Sequence, residues 1–393
     1  MTPTRILTAM AAVAALVLAA CSSELPEENA PGGDTSTGEA AKSEFFDQAE
    51  YERQLAFRDA KPEGPADRPW EQMLEPELVD TAQYAKPGGN YTICFSNAAV
   101  DNPWRQVGFK TMQREVELHP EITEFTVLDA EAKDDKQISD IQSLSGQSCS
   151  AIIISPNTTA TLTPAVEAAC DTGVPVIVFD RGVNTDCPVT FIHPIGGFAF
   201  GADGAEFLTE QVQPGGKILA LRILPGVDVL EQRWAAANEI FGESELDVVG
   251  VEFTDGDAAK TKSIVADYLQ REGEIDGVWM DAGATAVAAV EAFQDAGVEV
   301  PAFVGEDQQD FLRLWVDEDL TAVAPTYPTY QWRTPIIAAL RILKGEQVPS
   351  EWVLPQPRIT DADVADYVAQ DMPPLHYAMC GCEDMPGYPG PWQ

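Results

Sequence analysis

The chain reads as an α/β protein of two doubly wound, parallel-sheet lobes. Three observations predict this. From Asn90 onward, strand-like apolar runs alternate with amphipathic helical stretches, the order that builds βαβ units and parallel sheets. The runs come to about ten, many for one sheet, and they divide into two sets of about five. One of them, Val174 to Phe179, is almost wholly β-branched or aromatic, as a buried strand requires, and ends on the charged pair Asp180–Arg181. Polar groups at the carboxyl ends of parallel strands face the crevice where such proteins hold small molecules, and a site between two lobes is the natural pocket.

The N-terminus leads us to expect export from the cytoplasm. Arg5 precedes an apolar and small-residue run from Ile6 to Ala20, too short for a comfortable membrane span and arranged as a secretory signal. It ends Leu18-Ala19-Ala20-Cys21, which resembles a bacterial lipobox, so residues 1–20 are expected to be removed and Cys21 lipidated. The expected location is the outer face of the cytoplasmic membrane, reached through a lipid anchor. Residues 22–42 have the composition of a flexible tether. The rest of an N-terminal extension through residue 85 holds "EFFDQAEYERQLAF", a candidate amphipathic helix, before a Pro-rich stretch.

The strand-like runs then follow in order: "YTICFSN", "EFTVLDA", "AIIISP", "PVIVFD", "VTFIH", "GKILALR", "DVVGVEF", "DGVWMD", "PAFVGED" and "LTAVAPT". Helical stretches at 104–118, 134–147, 159–172, 198–212, 228–241, 258–272, 283–296 and 308–318 separate most of them. Without Cys21, six cysteines remain, and an even count in an exported chain favours disulfides. Cys170 ends a helix and Cys187 follows the next strand, which makes them the first expected pair. Cys94 with Cys149 would join two strands, leaving Cys380 and Cys382 as a close pair. A metal site near His376 is the alternative for that last pair.

From about Tyr91 to Leu354 the sequence resembles the periplasmic sugar-binding proteins of ABC transporters, specifically the ribose- and galactose-binding group. The resemblance rests on an ordered series: "FSNAAVDNPWRQVGFKTM" after the first strand, "DAEAKDDKQISDIQSLSGQSCSAIIISP", "GVPVIVFDR", and "FVGEDQQ" with Glu306 in place of an aromatic. It implies the type I periplasmic binding protein fold, with chain crossings near Pro194–Gly197, Thr326–Pro328 and Val353–Pro355 forming a hinge. Lobe 1 would be 86–194 plus 327–352. Lobe 2 would be 195–326 plus 353–393, including a C-terminal extension.

The resemblance also assigns ligand-binding positions. Asp180 and Arg181 match a strand end that binds sugar hydroxyls, a carboxylate accepting and a guanidinium donating. Asn102 matches an amide at a helix start, where it would equally serve as an N-cap. Trp104 matches an aromatic packed on the sugar ring, and Arg105 replaces a second aromatic, making the site more polar. Arg233 in "VLEQRW" and Asp307 in "FVGED" match an arginine and a carboxylate of the second lobe. Three positions depart from the pattern. A ligand-binding asparagine falls on Ala282 with Asp281 adjacent, a glutamine falls on Thr326, and an aromatic falls on Gly256. The implied ligand is a sugar or related polyhydroxylated molecule, with a sugar acid left open by the three arginines.

Composition and motifs exclude other classes. Acidic residues number 64 against 24 basic ones, a formal charge of −40, which repels phosphate backbones and excludes nucleic-acid binding through a basic patch. No phosphate loop, nucleophile elbow or metal-binding histidine spacing is present, and the chain has three histidines. The expectation is a binding protein rather than an enzyme, without cofactor, monomeric, delivering its ligand to ABC permease subunits in the membrane. The alternatives are a sensory receptor of the same fold that presents ligand to a membrane signalling protein and, further off, a carbohydrate-active enzyme.

Overall fold

The computed structural model of the protein describes residues 45–393. The expected signal segment, Cys21 and the tether lie outside the described residues. Two six-stranded sheets organise the remainder. In the first, the order is Glu351–Leu354, Thr190–Pro194, Val176–Phe179, Ala151–Ser155, Tyr91–Asn97 and Ile122–Asp129, every pairing parallel. In the second it is Arg358–Ile359, Ala322–Pro325, Ala302–Val304, Gly277–Met280, Lys217–Arg222 and Asp247–Phe253, parallel except for the short edge strand Arg358–Ile359. Helices cover both faces, so the central strands carry continuous apolar runs. Ile152, Ile153 and Ile154 are fully buried, as are Ile177, Val178 and Phe179. The doubly wound, two-sheet architecture expected from the strand–helix alternation is present.

The helices fall where the periodicity puts them, at Pro103–Glu117, Asp134–Ser145, Thr159–Cys170, Gly197–Gln211, Asp228–Glu243, Ala258–Glu272, Ala286–Ala296 and Gln309–Glu318. A further helix, Thr334–Lys344, is buried along most of its length against the first sheet. The chain passes between sheets after Pro194, after Pro325 and after Leu354. The boundary expected at 352/353 therefore falls inside the strand Glu351–Leu354, which belongs to the first sheet. The third crossing is residues 355–357.

Both extensions bond to both lobes. The helix Gln48–Asp59 lies on the helix Gly197–Gln211, with Arg58 paired to Asp203 and Glu206 at 2.8 and 2.7 Å, while Arg53 reaches Glu351 of the first sheet at 2.7 Å. At the other end, the C-terminal extension was expected with lobe 2. On that side its Pro374 carbonyl accepts from Asp310 N at 2.7 Å, and its His376 carbonyl accepts from Gln309 N at 2.9 Å. Trp392 Nε1, however, donates to Thr111 Oγ1 of the first lobe at 3.1 Å, and Arg333 donates to the Gly381 carbonyl. Disulfides join Cys94 to Cys149, Cys170 to Cys187 and Cys380 to Cys382. Among the described residues, no helix is long and apolar enough to cross a membrane.

Candidate functional site

The carboxyl ends of both sheets open onto one cavity of about 410 Å³. Its first-lobe wall is Asn102, Pro103, Trp104, Arg105, Asp180 and Arg181; Tyr327 of the second crossing forms its floor. Its second-lobe wall holds Arg233 and Glu306 among mainly apolar residues, including Ile223, Leu224, Val227 and Leu230. In the groove beside this cavity the lobes touch directly, Thr159 Oγ1 donating to Asp228 Oδ2 at 2.7 Å.

Asp180 is placed by an unusual backbone. Its φ is +70°, and Arg181 N donates to the Phe179 carbonyl at 3.0 Å, closing a γ-turn of the rare positive-φ kind directly at the strand end. Aspartate tolerates that region better than most residues. The turn reverses the chain so that two consecutive charged side chains both reach the cavity. Asp180 Oδ2 accepts from Arg105 Nη2 at 2.8 Å, and Oδ1 lies 3.3 Å from the donating hydroxyl of Tyr327. Arg181 donates to the Asn157 carbonyl. Arg105 also donates to Ser155 Oγ at 3.3 Å, and burial pulls its guanidinium below the usual range against the opposing pull of Asp180.

The helix Pro103–Glu117 starts on Asn102, whose Oδ1 accepts from Arg105 N at 3.0 Å, with Pro103 in the first turn, where its missing N–H costs nothing. Asn102 is thus an N-cap that also borders the cavity. Trp104 donates from Nε1 to the Tyr327 carbonyl at 2.7 Å and packs its ring 5.5 Å from that of Tyr327. This fixes an aromatic face on the cavity wall.

In the second lobe, Arg233 is almost wholly buried. It lies 3.8 Å above the Phe200 ring and donates from Nη1 to the Asp281 carbonyl at 2.6 Å. Glu306 Oε1 stands 3.9 Å from the same nitrogen, and its Oε2 accepts from Gly283 N at 3.0 Å. Burial raises the Glu306 carboxyl, opposed by the charge of Arg233.

Six of the eight expected ligand positions therefore line one cavity: Asn102, Trp104, Arg105, Asp180, Arg181 and Arg233. The other two do not reach it. Asp281 is fully buried behind the wall, where Oδ1 accepts from Ile223 N at 2.7 Å and Oδ2 faces Arg222 at 3.4 Å; burial pushes its carboxyl up to about 7. Asp307 turns to the C-terminal extension, its Oδ2 accepting from Met379 N at 2.7 Å and its backbone carbonyl from Ala378 N at 2.8 Å. Burial, then the charge of Glu306, pushes that carboxyl up to about 8.

The cavity instead receives Glu306 and Tyr377, whose hydroxyl accepts from Gln308 Nε2 at 2.9 Å and lies 3.5 Å from Glu306 Oε2. The signal for Glu306 was its place beside Asp307 at a strand end. Tyr377 had none, because it arrives from an extension outside the resemblance. Among the described residues, His376, Cys380 and Cys382 have metal-ligand proximity, their donor atoms within 4.8 Å of one another. Both sulfurs are joined in the disulfide, so that group offers one imidazole and no thiolate.

Residues 93–347 match the periplasmic binding protein domain family. The chain belongs to that family. It is 26% identical over 277 residues to the ribose import binding protein RbsB of Bacillus subtilis, covering 69% of this chain and 89% of the relative. Among solved structures, an ABC transporter solute binding protein from Bacillus halodurans with bound myo-inositol superposes with a TM-score of 0.64 at 21% identity, over 71% of this chain and 97% of that one. The fructose binding periplasmic domain of a hybrid two component system superposes with a TM-score of 0.61 at 23% identity, over 70% and 93%. The family match assigns the chain to the periplasmic binding proteins, and the relatives named above are binding proteins rather than enzymes.

Proposed function

We propose that the protein is an extracytoplasmic solute-binding lipoprotein, anchored through Cys21, that captures a sugar or related polyhydroxylated molecule between its lobes and delivers it as a monomer to an ABC importer. The observation that carries this reading is the Asp180–Arg181 strand end. It meets Trp104 and Arg105 of its own lobe and Arg233 of the other in a single cavity. An aromatic face suits the C–H side of a sugar ring, and the surrounding charged acceptors and donors suit its hydroxyls. Closure of the lobes about the three crossings would complete the contacts from the second wall.

A thermal-shift screen of monosaccharides, sugar acids, polyols and nucleosides tests the reading. A ligand held only by the folded protein stabilises it by about 2.7 kcal/mol at a hundredfold excess over its dissociation constant. No shift with any compound would refute the sugar-receptor reading, and turnover of one by pure protein would replace it with an enzyme. The sensory alternative is favoured by one observation, the shared fold with a two component system's fructose binding domain. Genes for a permease and an ATPase beside this one support import; a membrane kinase gene in their place supports sensing.

A further inference from the structure

We propose that the ligand of this site carries one negative charge, a carboxylate on a polyhydroxylated frame, as in a sugar acid. The proposal rests on the sugar-site reading and adds the charge. It follows from the pairing of the ionic groups on the cavity wall.

Three guanidiniums line the cavity, those of Arg105, Arg181 and Arg233, against two buried carboxylates, those of Asp180 and Glu306. Asp180 is committed to Arg105, at 2.8 Å, with both side chains buried. Arg105 is itself the residue that stands where the sugar-binding resemblance expects an aromatic. Its arrival turns an Asp–Arg pair of no net charge into an Arg–Asp–Arg triad of one positive charge. Arg181 is the group left over. It donates to a neutral carbonyl, that of Asn157, and among the described residues it has no carboxylate within ion-pair distance.

At the far wall, Arg233 and Glu306 balance each other in charge without a direct hydrogen bond, at 3.9 Å, and Arg233 Nε is buried with no partner. Two further carboxylates border the cavity at its exposed rim. Asp255 pairs with Lys260 at 2.6 Å, and Asp101 accepts from the Asn102 amide at 3.2 Å. Both keep their water, so neither compensates a charge inside. A closed cleft would seal one uncompensated guanidinium among apolar residues, which is costly. A ligand carboxylate removes that cost, and its two oxygens match the planar fork of an arginine better than a hydroxyl does. The net charge of −40 does not attract anions, so the selection is made by these contacts and not by the surface.

The test is calorimetry on the full-length protein in detergent with matched pairs: D-galactose and D-galacturonate, D-glucose and D-gluconate, and glucose 6-phosphate. The expected result is an acid bound about tenfold or more tightly than its neutral partner. Arg181→Gln should bring the pair to near-equal affinity, while Arg181→Lys should keep part of the preference. Because wild-type protein alone gives the acid-to-neutral ratio, a variant that fails to fold does not blunt the test. Neutral sugars binding as well as their acids would overturn the charge assignment and leave the sugar site standing. Tighter binding of the phosphate dianion than of either carboxylate would overturn it also. Silence from every compound, acid and neutral, would overturn the charge assignment and the sugar-site reading together.

Discussion

Asp307 should make the protein less stable as the solution becomes alkaline. Its side chain is fully buried, Oδ1 has no partner, and its carboxyl is pushed up to about 8 from an ordinary 3.8. Between those two values the native state keeps a proton that the unfolded chain has released. The unfolded state then binds fewer protons, so unfolding free energy falls as pH rises from about 4 to about 8 and levels off above. The separation of about four units at about 1.4 kcal/mol each sets a ceiling on the order of 5 kcal/mol, of which structural relaxation leaves a few. Asp307→Asn removes the titration while its amide oxygen still accepts from Met379 N. Urea denaturation of wild type and variant at pH 5, 7 and 9 isolates the effect, because Asp281, raised to about 7, titrates in both and cancels. The expected difference is within about 1 kcal/mol at pH 5 and favours the variant by a few kcal/mol at pH 9. Parallel pH curves for the two proteins would refute the reasoning.

Two further substitutions probe the second lobe. Gly201→Ala would set a Cβ 1.9 Å from the Arg233 carbonyl oxygen, a backbone atom, so the helix Asp228–Glu243 must shift outward and carry Arg233 from the cavity. Stability should fall by about 1–3 kcal/mol and ligand affinity with it, read by melting temperature and calorimetry; a loss of stability with intact affinity would separate Arg233 from binding. Tyr377→Phe removes the acceptor of Gln308 and a neighbour of Glu306. It should cost about 1 kcal/mol of stability and weaken ligand binding several-fold by calorimetry. Unchanged affinity would reduce Tyr377 to packing.

Ten of the twelve strands in the two large sheets and nine of the helices, Gln48–Asp59 included, were legible in the sequence. Parallel-sheet strands buried on both faces write long apolar runs, and amphipathic helices write a 3.6-residue period. Glu351–Leu354 and the two-residue edge strand Arg358–Ile359 were not legible. The helix Thr334–Lys344 is buried nearly all round, so its sequence "TPIIAALRILK" carries less of the polar face that marks a surface helix. Of the site, the Asp180–Arg181 strand end was visible as a charge pair terminating a core strand. Which of two adjacent acids at 306 and 307 faces the cavity was not. Successive side chains leave a strand end on opposite sides, and here the extension's Met379 N–H and Ala378 N–H take the Asp307 side. That contact is made by residues some seventy positions away, and no local pattern announces it. The same holds for Tyr377.

The stitching of both chain ends across the lobes bears on how tightly ligand is held and how it is let go. A receptor that swings freely on three crossings spends much of its time open, and its apparent dissociation constant is weakened by the small fraction of molecules ready to bind. Arg53 and Arg58 at one end, and Trp392 and the Gln309–His376 contact at the other, bond the extensions to both lobes and would act as splints that narrow such a swing. Narrowing it toward the closed geometry raises the ready fraction and slows escape of the captured molecule. An importer of the kind proposed would have to loosen at least one splint as well as part the lobes. The two extensions would then take part in release as much as the mouth of the cleft.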